Sequence, residues 1–222
     1  MYKQRISYAD YVEEVERLYK IERREIYFGF VIRDFIQSIL TESEQLVAVW
    51  DNKGYKDDTK NPLHKRKNYA DSHSLQDFII VPEQYSYTNT TKPYVSIELK
   101  KPNLENYQGL ELGKNKKQIE AEFEYCDFII LTDCVTWMFL KKDEPVKDEK
   151  VVCLIQEGKW LQMEQRDSNN ERMGNIHMKE PEQWDDLVNT IRTFVAEAKK
   201  QRKEVILSLV IISGRSIVKS TN

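Results

Sequence analysis

The chain has 222 residues, 40% hydrophobic and 32% charged, with a formal net charge of −3. This composition excludes an intrinsically disordered chain, and the small net charge excludes a general electrostatic attraction to nucleic acid. Three cysteines without Cys-x-x-Cys spacing argue against a disulfide framework or a zinc site. The same cysteine usage predicts a cytoplasmic protein. We expect no membrane partner, because the N-terminus is charged and the longest aliphatic run, 205–212, is too short to span a bilayer.

The first half of the chain combines helical and strand patterns. Apolar residues at three- and four-residue steps predict a helix over 8–40, with a bend or break near 21–24. The polar segment 51–74 carries six Lys and Arg side chains, and a loop of that length is typical of a functional or mobile region. Runs of β-forming residues predict strands over 45–50, 77–81 and 94–100.

The middle of the chain continues with a helix and two strands. A basic cluster leads into a helix that we expect to extend to Tyr125. Strands are predicted over 127–132 and 135–140, joined by a tight turn at Asp133-Cys134. Helices alternating with strands in this order predict an α/β fold, a mixed central β-sheet flanked by helices.

The last third is less regular. A strand is predicted over 151–156, pairing as a hairpin with 159–163, and Pro181 opens a helix that ends in a basic run at 199–203. The segment 205–222 fits either an edge strand or the beginning of a longer native protein. We therefore divide the chain into a core over 1–145 and an extension over 146–222, a β-hairpin and helix packed on the same domain.

Acidic and basic side chains meet at the ends of two predicted strands. Asp77 heads one strand, and Glu-Leu-Lys ends the next. Because side chains alternate along a strand, Glu98 and Lys100 share one face, while Ile97 and Leu99 take the other. The acid-x-Lys triplet occurs six times in the sequence, so alone it indicates little more than a salt bridge. Only the triplet at Glu98 ends a strand of β-forming residues and follows a strand headed by an acid.

The segment around these strands resembles the PD-(D/E)xK nuclease superfamily over residues 20–140. An acid lies on the N-terminal helix, an Asp begins a strand, Glu-x-Lys ends the next strand, and a helix with Gln118 follows. The Leu-Thr-Asp segment at 131–133 and Trp137-Met-Phe narrow the resemblance to the nuclease domain of type I restriction motor subunits and related defence nucleases. Three positions depart from the pattern: Gln76 replaces Pro, Tyr125 lies seven residues after Gln118, and Cys134 replaces Gly.

The resemblance implies a restriction-endonuclease-like fold and a Mg²⁺-dependent cut of DNA phosphodiester bonds, with Mn²⁺ as a substitute ion. Mg²⁺ takes one or two carboxylates and other oxygens, here Asp77, Glu98 and the Leu99 carbonyl. Lys100 would orient or help deprotonate the attacking water. The resemblance also implies that Gln118 orients Lys100 or the phosphate, and that Glu25 holds a metal-bound water. Asp71 is an alternative to Asp77, and Glu22 to Glu25.

Several side chains beside this site are candidates for DNA contact. Lysines neutralise phosphates without reading sequence, and each is also consistent with a solvated surface. Restriction or phage defence is the expected context, with other subunits of a complex or a second copy of the chain as possible partners. Alternatives are a nuclease for RNA or branched DNA and a non-catalytic nucleic-acid-binding or assembly module. The candidates for DNA contact are Lys101, Lys114, Lys116, Lys117 and Tyr125.

Overall fold

The computed structural model describes the following residues: 5–21, 24–49, 77–86, 92–102, 110, 112–142, 144, 151–154, 165–166, 172–173 and 181–218. The predicted basic loop at 51–74 and the second strand of the predicted hairpin, 159–163, lie outside them. Four helices and eight strands are present in the described part of the chain. In order they are α1 Tyr8–Ile21, α2 Glu25–Ile39, β1 Glu44–Ala48, β2 Phe78–Pro82, β3 Val95–Leu99, α3 Leu112–Glu122, β4 Phe128–Thr132, β5 Thr136–Lys141, β6 Val151–Cys153, β7 Gln165–Arg166, β8 Arg172–Met173 and α4 Pro181–Val218.

Six strands form one mixed sheet in the order β1-β2-β3-β4-β5-β6. Neighbouring strands are antiparallel except β3 and β4, which are parallel. Parallel neighbours need a crossover connection, and α3 provides it. The predicted α/β fold with a mixed central sheet is confirmed.

One face of the sheet is covered by α1, α2 and α4. Phe35 on α2 is fully buried, with ring centroids 5.6 Å from Trp137 on β5 and 4.4 Å from Trp184 on α4. Phe194 of α4 packs edge-on against Phe128 and Phe139. This face forms one continuous apolar core that joins residues from both halves of the chain.

The other face is covered by α3 over a smaller apolar cluster. Ile119 packs there with Ile129, Leu131 and Leu140. Strand alternation produces both faces, because Phe128 and Ile130 point into the larger core while Ile129 and Leu131 point toward α3.

The predicted break between the first two helices is confirmed. Helix α1 ends at Ile21 and α2 begins at Glu25. Between them, Arg24 has φ −72° and ψ 135°, an extended rather than helical conformation. Gly29 lies buried in α2, where an added Cβ would sit 3.5 Å from the Phe78 ring. Helix α2 therefore lies directly on β2. Its first residue, Glu25, lies near the end of β3.

The structure corrects two predictions. Helix α3 ends at Glu122 rather than at Tyr125, which lies in the following turn. The segment after 205 is not an edge strand, because α4 continues as one helix to Val218. None of the described helices is both long and apolar enough to cross a membrane.

The turn between β4 and β5 is held by side chains rather than by glycine. Asp133 Oδ1 accepts hydrogen bonds from the backbone N–H groups of Val135 and Thr136, at 3.2 and 2.7 Å. Cys134 adopts a positive φ of 73°, and its carbonyl accepts a 2.6 Å hydrogen bond from the Tyr11 hydroxyl. A left-handed conformation is costly for a residue with a Cβ, so these bonds hold the turn in place.

Candidate functional site

Asp77 joins the beginning of β2 to the end of β3. The two strands are antiparallel with Phe78 opposite Ile97, so the residue before Phe78 lies beside the residues after Ile97. Asp77 Oδ2 accepts a 2.8 Å hydrogen bond from the Leu99 backbone N–H. The carboxyl group is thereby fixed next to Glu98 and Lys100.

Lys100 lies at the centre of the site. Its Nζ is 2.6 Å from Glu98 Oε1 and 2.8 Å from Gln118 Oε1 on α3. The Lys100 backbone N–H donates to Thr132 on β4 at 2.7 Å, which continues the parallel β3–β4 pairing beyond Leu99. The sheet thus fixes the backbone of Lys100, and the two neighbouring side chains fix its ammonium group.

A buried carboxyl group that the sequence analysis did not select completes the cluster. Glu122 on α3 is 0% exposed, and its Oε2 accepts a 2.9 Å hydrogen bond from the Ser96 hydroxyl. Its position four residues after Gln118 places both side chains on one face of a helix, and Ser96 and Glu98, two residues apart, share one face of β3. An acid one turn beyond the candidate Gln was the pattern that could have identified it.

Burial and mutual repulsion raise the pKa values of these acids. Burial, followed by the nearby charge of Glu98, raises the pKa of Asp77 to about 7. Burial first, and then Glu122, raises the pKa of Glu98, while burial raises that of Glu122. Burial alone would lower the pKa of Lys100, but the adjacent Glu98 carboxylate raises it above its ordinary value. The metal-free site therefore favours neutral acids and a charged ammonium.

Glu25 reaches the same end of β3 from α2. Its Oε2 accepts a 3.1 Å hydrogen bond from the Lys101 backbone N–H, and its charge contributes to the raised pKa of Asp77. The competing candidates Glu22 and Asp71 lie outside the described residues. Glu25 is exposed at the edge of the site, unlike the buried Glu98 and Glu122.

The candidate DNA-contacting lysines lie just after β3 and on α3. Lys101 follows the site directly and is exposed, and three further exposed lysines lie along the first half of α3. Lys116 makes a long 3.8 Å contact with Glu120 on the helix surface. Tyr125 is partly buried in the turn after α3, so its spacing of seven residues from Gln118 does not place the two side chains on one helix face. The α3 lysines are Lys114, Lys116 and Lys117.

The residues present are consistent with a divalent cation. Among the described residues, no group of three or more His, Cys, Asp or Glu side chains is arranged to hold a metal, but Mg²⁺ requires only one or two protein carboxylates. Asp77 and Glu98 provide two, and the charges of Glu25, Glu122 and Lys100 act on them. Burial opposes ionisation of these acids, and a bound cation would favour their ionised form.

Comparisons with known proteins return nothing: no family model, no curated protein and no solved structure matches the chain. The functional interpretation therefore depends on the residues and geometry of the site.

Proposed function

We propose that the chain is a Mg²⁺-dependent endonuclease of the PD-(D/E)xK type that hydrolyses DNA phosphodiester bonds in restriction or phage defence. One observation carries the proposal. The Lys100 ammonium is held between Glu98 and Gln118, next to Asp77, which is fixed by its bond to Leu99. Two neighbouring acids and a charged amine at the end of a buried strand match the needs of phosphodiester hydrolysis.

The acids would hold the ion. Asp77 and Glu98 would be its carboxylate ligands, with the Leu99 carbonyl as a further oxygen, and Mn²⁺ could substitute. When bound, Mg²⁺ would lower the pKa of a coordinated water and stabilise charge on the phosphate. A bound cation would favour the ionised form of Asp77, whose pKa in the metal-free protein is raised by burial to about 7.

Lys100 would act through its charge. The Glu98 carboxylate raises the pKa of the Lys100 amine, so the side chain stays protonated and can stabilise negative charge on the attacked phosphate. Gln118 accepts from the ammonium at 2.8 Å and would fix its direction. Glu25, at the exposed edge, would hold a metal-bound water.

The surrounding surface suits a nucleic-acid backbone. Lys101 follows the end of β3 and is exposed, and three exposed lysines lie on α3, the helix that brings Gln118 to Lys100. Each would neutralise phosphate without reading sequence. Tyr125 remains a proposed contact beyond α3. A second copy of the chain or other defence subunits would supply a second cut or target recognition.

Cleavage of supercoiled plasmid DNA in Mg²⁺ tests the proposal. We expect the wild type to nick or linearise the plasmid, Asp77→Asn and Lys100→Ala to lower the rate at least about 100-fold, and the surface variant Glu120→Gln to match the wild type. Equal cleavage by Lys100→Ala and the wild type would refute the assignment. Cleavage of only RNA or branched DNA would change the proposed substrate class. Binding of DNA without cleavage would favour a non-catalytic module.

A further inference from the structure

A groove with a volume of about 560 Å³ lies between α4 and the turn that joins α2 to β1, and we call it the α4 groove. It lies at the opposite end of α2 from the candidate site. Glu25 begins α2 beside Lys101, whereas Ile39 ends it beside Arg192 of α4. The 15 residues of α2 separate these two ends by about 22 Å. The α4 groove is therefore a surface distinct from the candidate site.

Side chains of α4 hold the two walls of this groove together. The Lys199 ammonium contacts the Glu44 carboxylate and donates to the Ser43 hydroxyl at 2.9 Å. Arg192 Nε donates to the Ile39 carbonyl at the end of α2, at 3.4 Å. Because these contacts join α4 to both sides of the turn, the groove is already formed without a partner, which lowers the cost of binding one.

The α4 groove carries an excess of positive charge. Four of the residues that line it are Lys or Arg and one, Glu44, is an acid, in a chain whose net charge is −3. Lys199 contacts that acid. Lys200 and Lys203 are exposed at the groove and lie one helical turn apart. The groove therefore favours an anionic partner.

Apolar side chains line the same groove. Leu40 comes from the end of α2, and Val195 and Ala196 come from α4. None of the described residues that line the groove is aromatic, whereas a groove for single-stranded nucleic acid combines cations with aromatic side chains on which bases stack. Apolar side chains bordered by cations instead complement a peptide with one apolar side and acidic flanks.

We propose that the α4 groove binds an acidic amphipathic helix of a partner protein. The apolar side of that helix would pack on Leu40, Val195 and Ala196, and its carboxylates would face the lysines of α4. Arg192 and Lys203 are about 16 Å apart along α4, a length that matches about three turns of a partner helix. This inference requires neither metal nor DNA, so it is independent of the proposed nuclease function.

Fluorescence anisotropy with the full-length, metal-free protein tests this proposal. The probe is a labelled synthetic peptide with Leu at helical spacing and Glu on both sides of the Leu stripe. One comparison peptide has the same composition in scrambled order, and another has Lys in place of Glu. We expect the patterned peptide to bind at least about 10-fold more tightly than either, because it alone presents apolar and acidic groups on the complementary sides.

Substitutions in the groove locate the bound peptide. Lys200→Glu and Lys203→Glu change exposed side chains, and we expect each to weaken binding about 5-fold or more by placing like charges together. Ala196→Glu should weaken it further, because it puts an acid among the apolar side chains. Lys142→Glu is the matched control, since it makes the same charge change at an exposed lysine that does not line the groove. It should match the wild type.

Several results would overturn the proposal. Absent binding of the patterned peptide, or equal affinity for the scrambled one, would mean that the groove does not recognise an amphipathic helix. Unchanged binding in both lysine variants would place the peptide elsewhere. Displacement of the peptide by duplex DNA, with the same loss in Lys200→Glu, would make the groove a phosphate-binding surface.

The oligomeric state gives one further decisive result. A wild-type dimer that Lys200→Glu dissociates in sedimentation would identify a second copy of the chain as the occupant and overturn the proposal. Failure of the wild type to cleave plasmid DNA would refute the nuclease function alone, because peptide binding is measured without metal and without DNA.

Discussion

The two faces of the sheet are built from the same strands but have different contents. The face under α1, α2 and α4 buries aliphatic and aromatic side chains in one large cluster. The face under α3 has a small apolar cluster and the buried polar groups Ser96, Glu98 and Glu122. A single period-two alternation along β3 assigns Leu99 to the first face and Glu98 to the second. Stability is therefore concentrated on one face, and ionisable chemistry on the other.

Truncation at the centre of the apolar face gives the largest expected change in stability. Phe35 is fully buried against the rings of Tyr11, Trp137 and Trp184. We expect Phe35→Ala to lower the free energy of unfolding by about 3–5 kcal/mol, measured by urea denaturation. Mn²⁺ affinity of the folded fraction should not change. Loss of metal affinity in a folded Phe35→Ala protein would show that the two faces are not separate.

The polar face should make stability fall as pH rises. The pKa of Asp77 is raised to about 7 in the fold, so the folded protein retains a proton that the unfolded chain loses above about pH 4. This contribution is present at low pH and is lost as pH rises through 7. The raised pKa values of Glu98 and Glu122 act in the same direction.

Thermal melts of metal-free protein between pH 5 and 8 measure this effect. Asp77→Asn keeps an acceptor for the Leu99 N–H but cannot ionise, so we expect a flatter curve, with stability near pH 8 higher by an amount on the order of 1 kcal/mol or more. Glu120→Gln is the control and should follow the wild type. Identical pH dependence in Asp77→Asn and the wild type would contradict the raised pKa.

The turn after β4 offers a smaller test on the apolar face. Cys134 is fully buried and has a φ of 73°. The left-handed backbone is strained because the residue has a Cβ, while the sulfur packs in the core. Cys134→Ala loses the sulfur and keeps the strain, whereas Cys134→Gly loses both. We expect the glycine variant to be more stable than the alanine variant by about 1 kcal/mol, from paired denaturation curves. The reverse order would mean that the turn carries no strain.

The smallest expected effect is a gain in stability within α2. A Cβ at Gly29 would meet the Phe78 ring at 3.5 Å and Leu99 Cδ2 at 3.8 Å, both ordinary contacts. Alanine restricts the unfolded chain more than glycine does and has a higher helix propensity. Gly29→Ala should therefore raise the free energy of unfolding by about 0.5–1 kcal/mol. Destabilisation in a thermal melt would show that the apolar face has no space for a methyl group between α2 and β2.

Local patterns in the sequence predicted most of the secondary structure. Together with the family resemblance they selected Asp77, Glu98 and Lys100 but not the buried Glu122. The break before Glu25, the strand that follows Asp77 and the strand that carries Glu98 are confirmed, because helical and strand periodicities are properties of neighbouring residues. The hydrophobic pattern did not determine where α3 ends or how residues after 205 are arranged. Tyr125 lies beyond α3, and α4 continues to Val218.

The sequence by itself determined which faces of β3 and α3 carry polar groups, since period two and period 3.6 follow from backbone geometry. Only the tertiary structure decided what those groups contact. Two acids separated by 24 positions, Glu98 and Glu122, came close enough for the charge of one to act on the other, because the β3–β4 crossover lays α3 on the sheet. Burial then raised their pKa values, an effect of solvent exclusion that no spacing in the chain encodes.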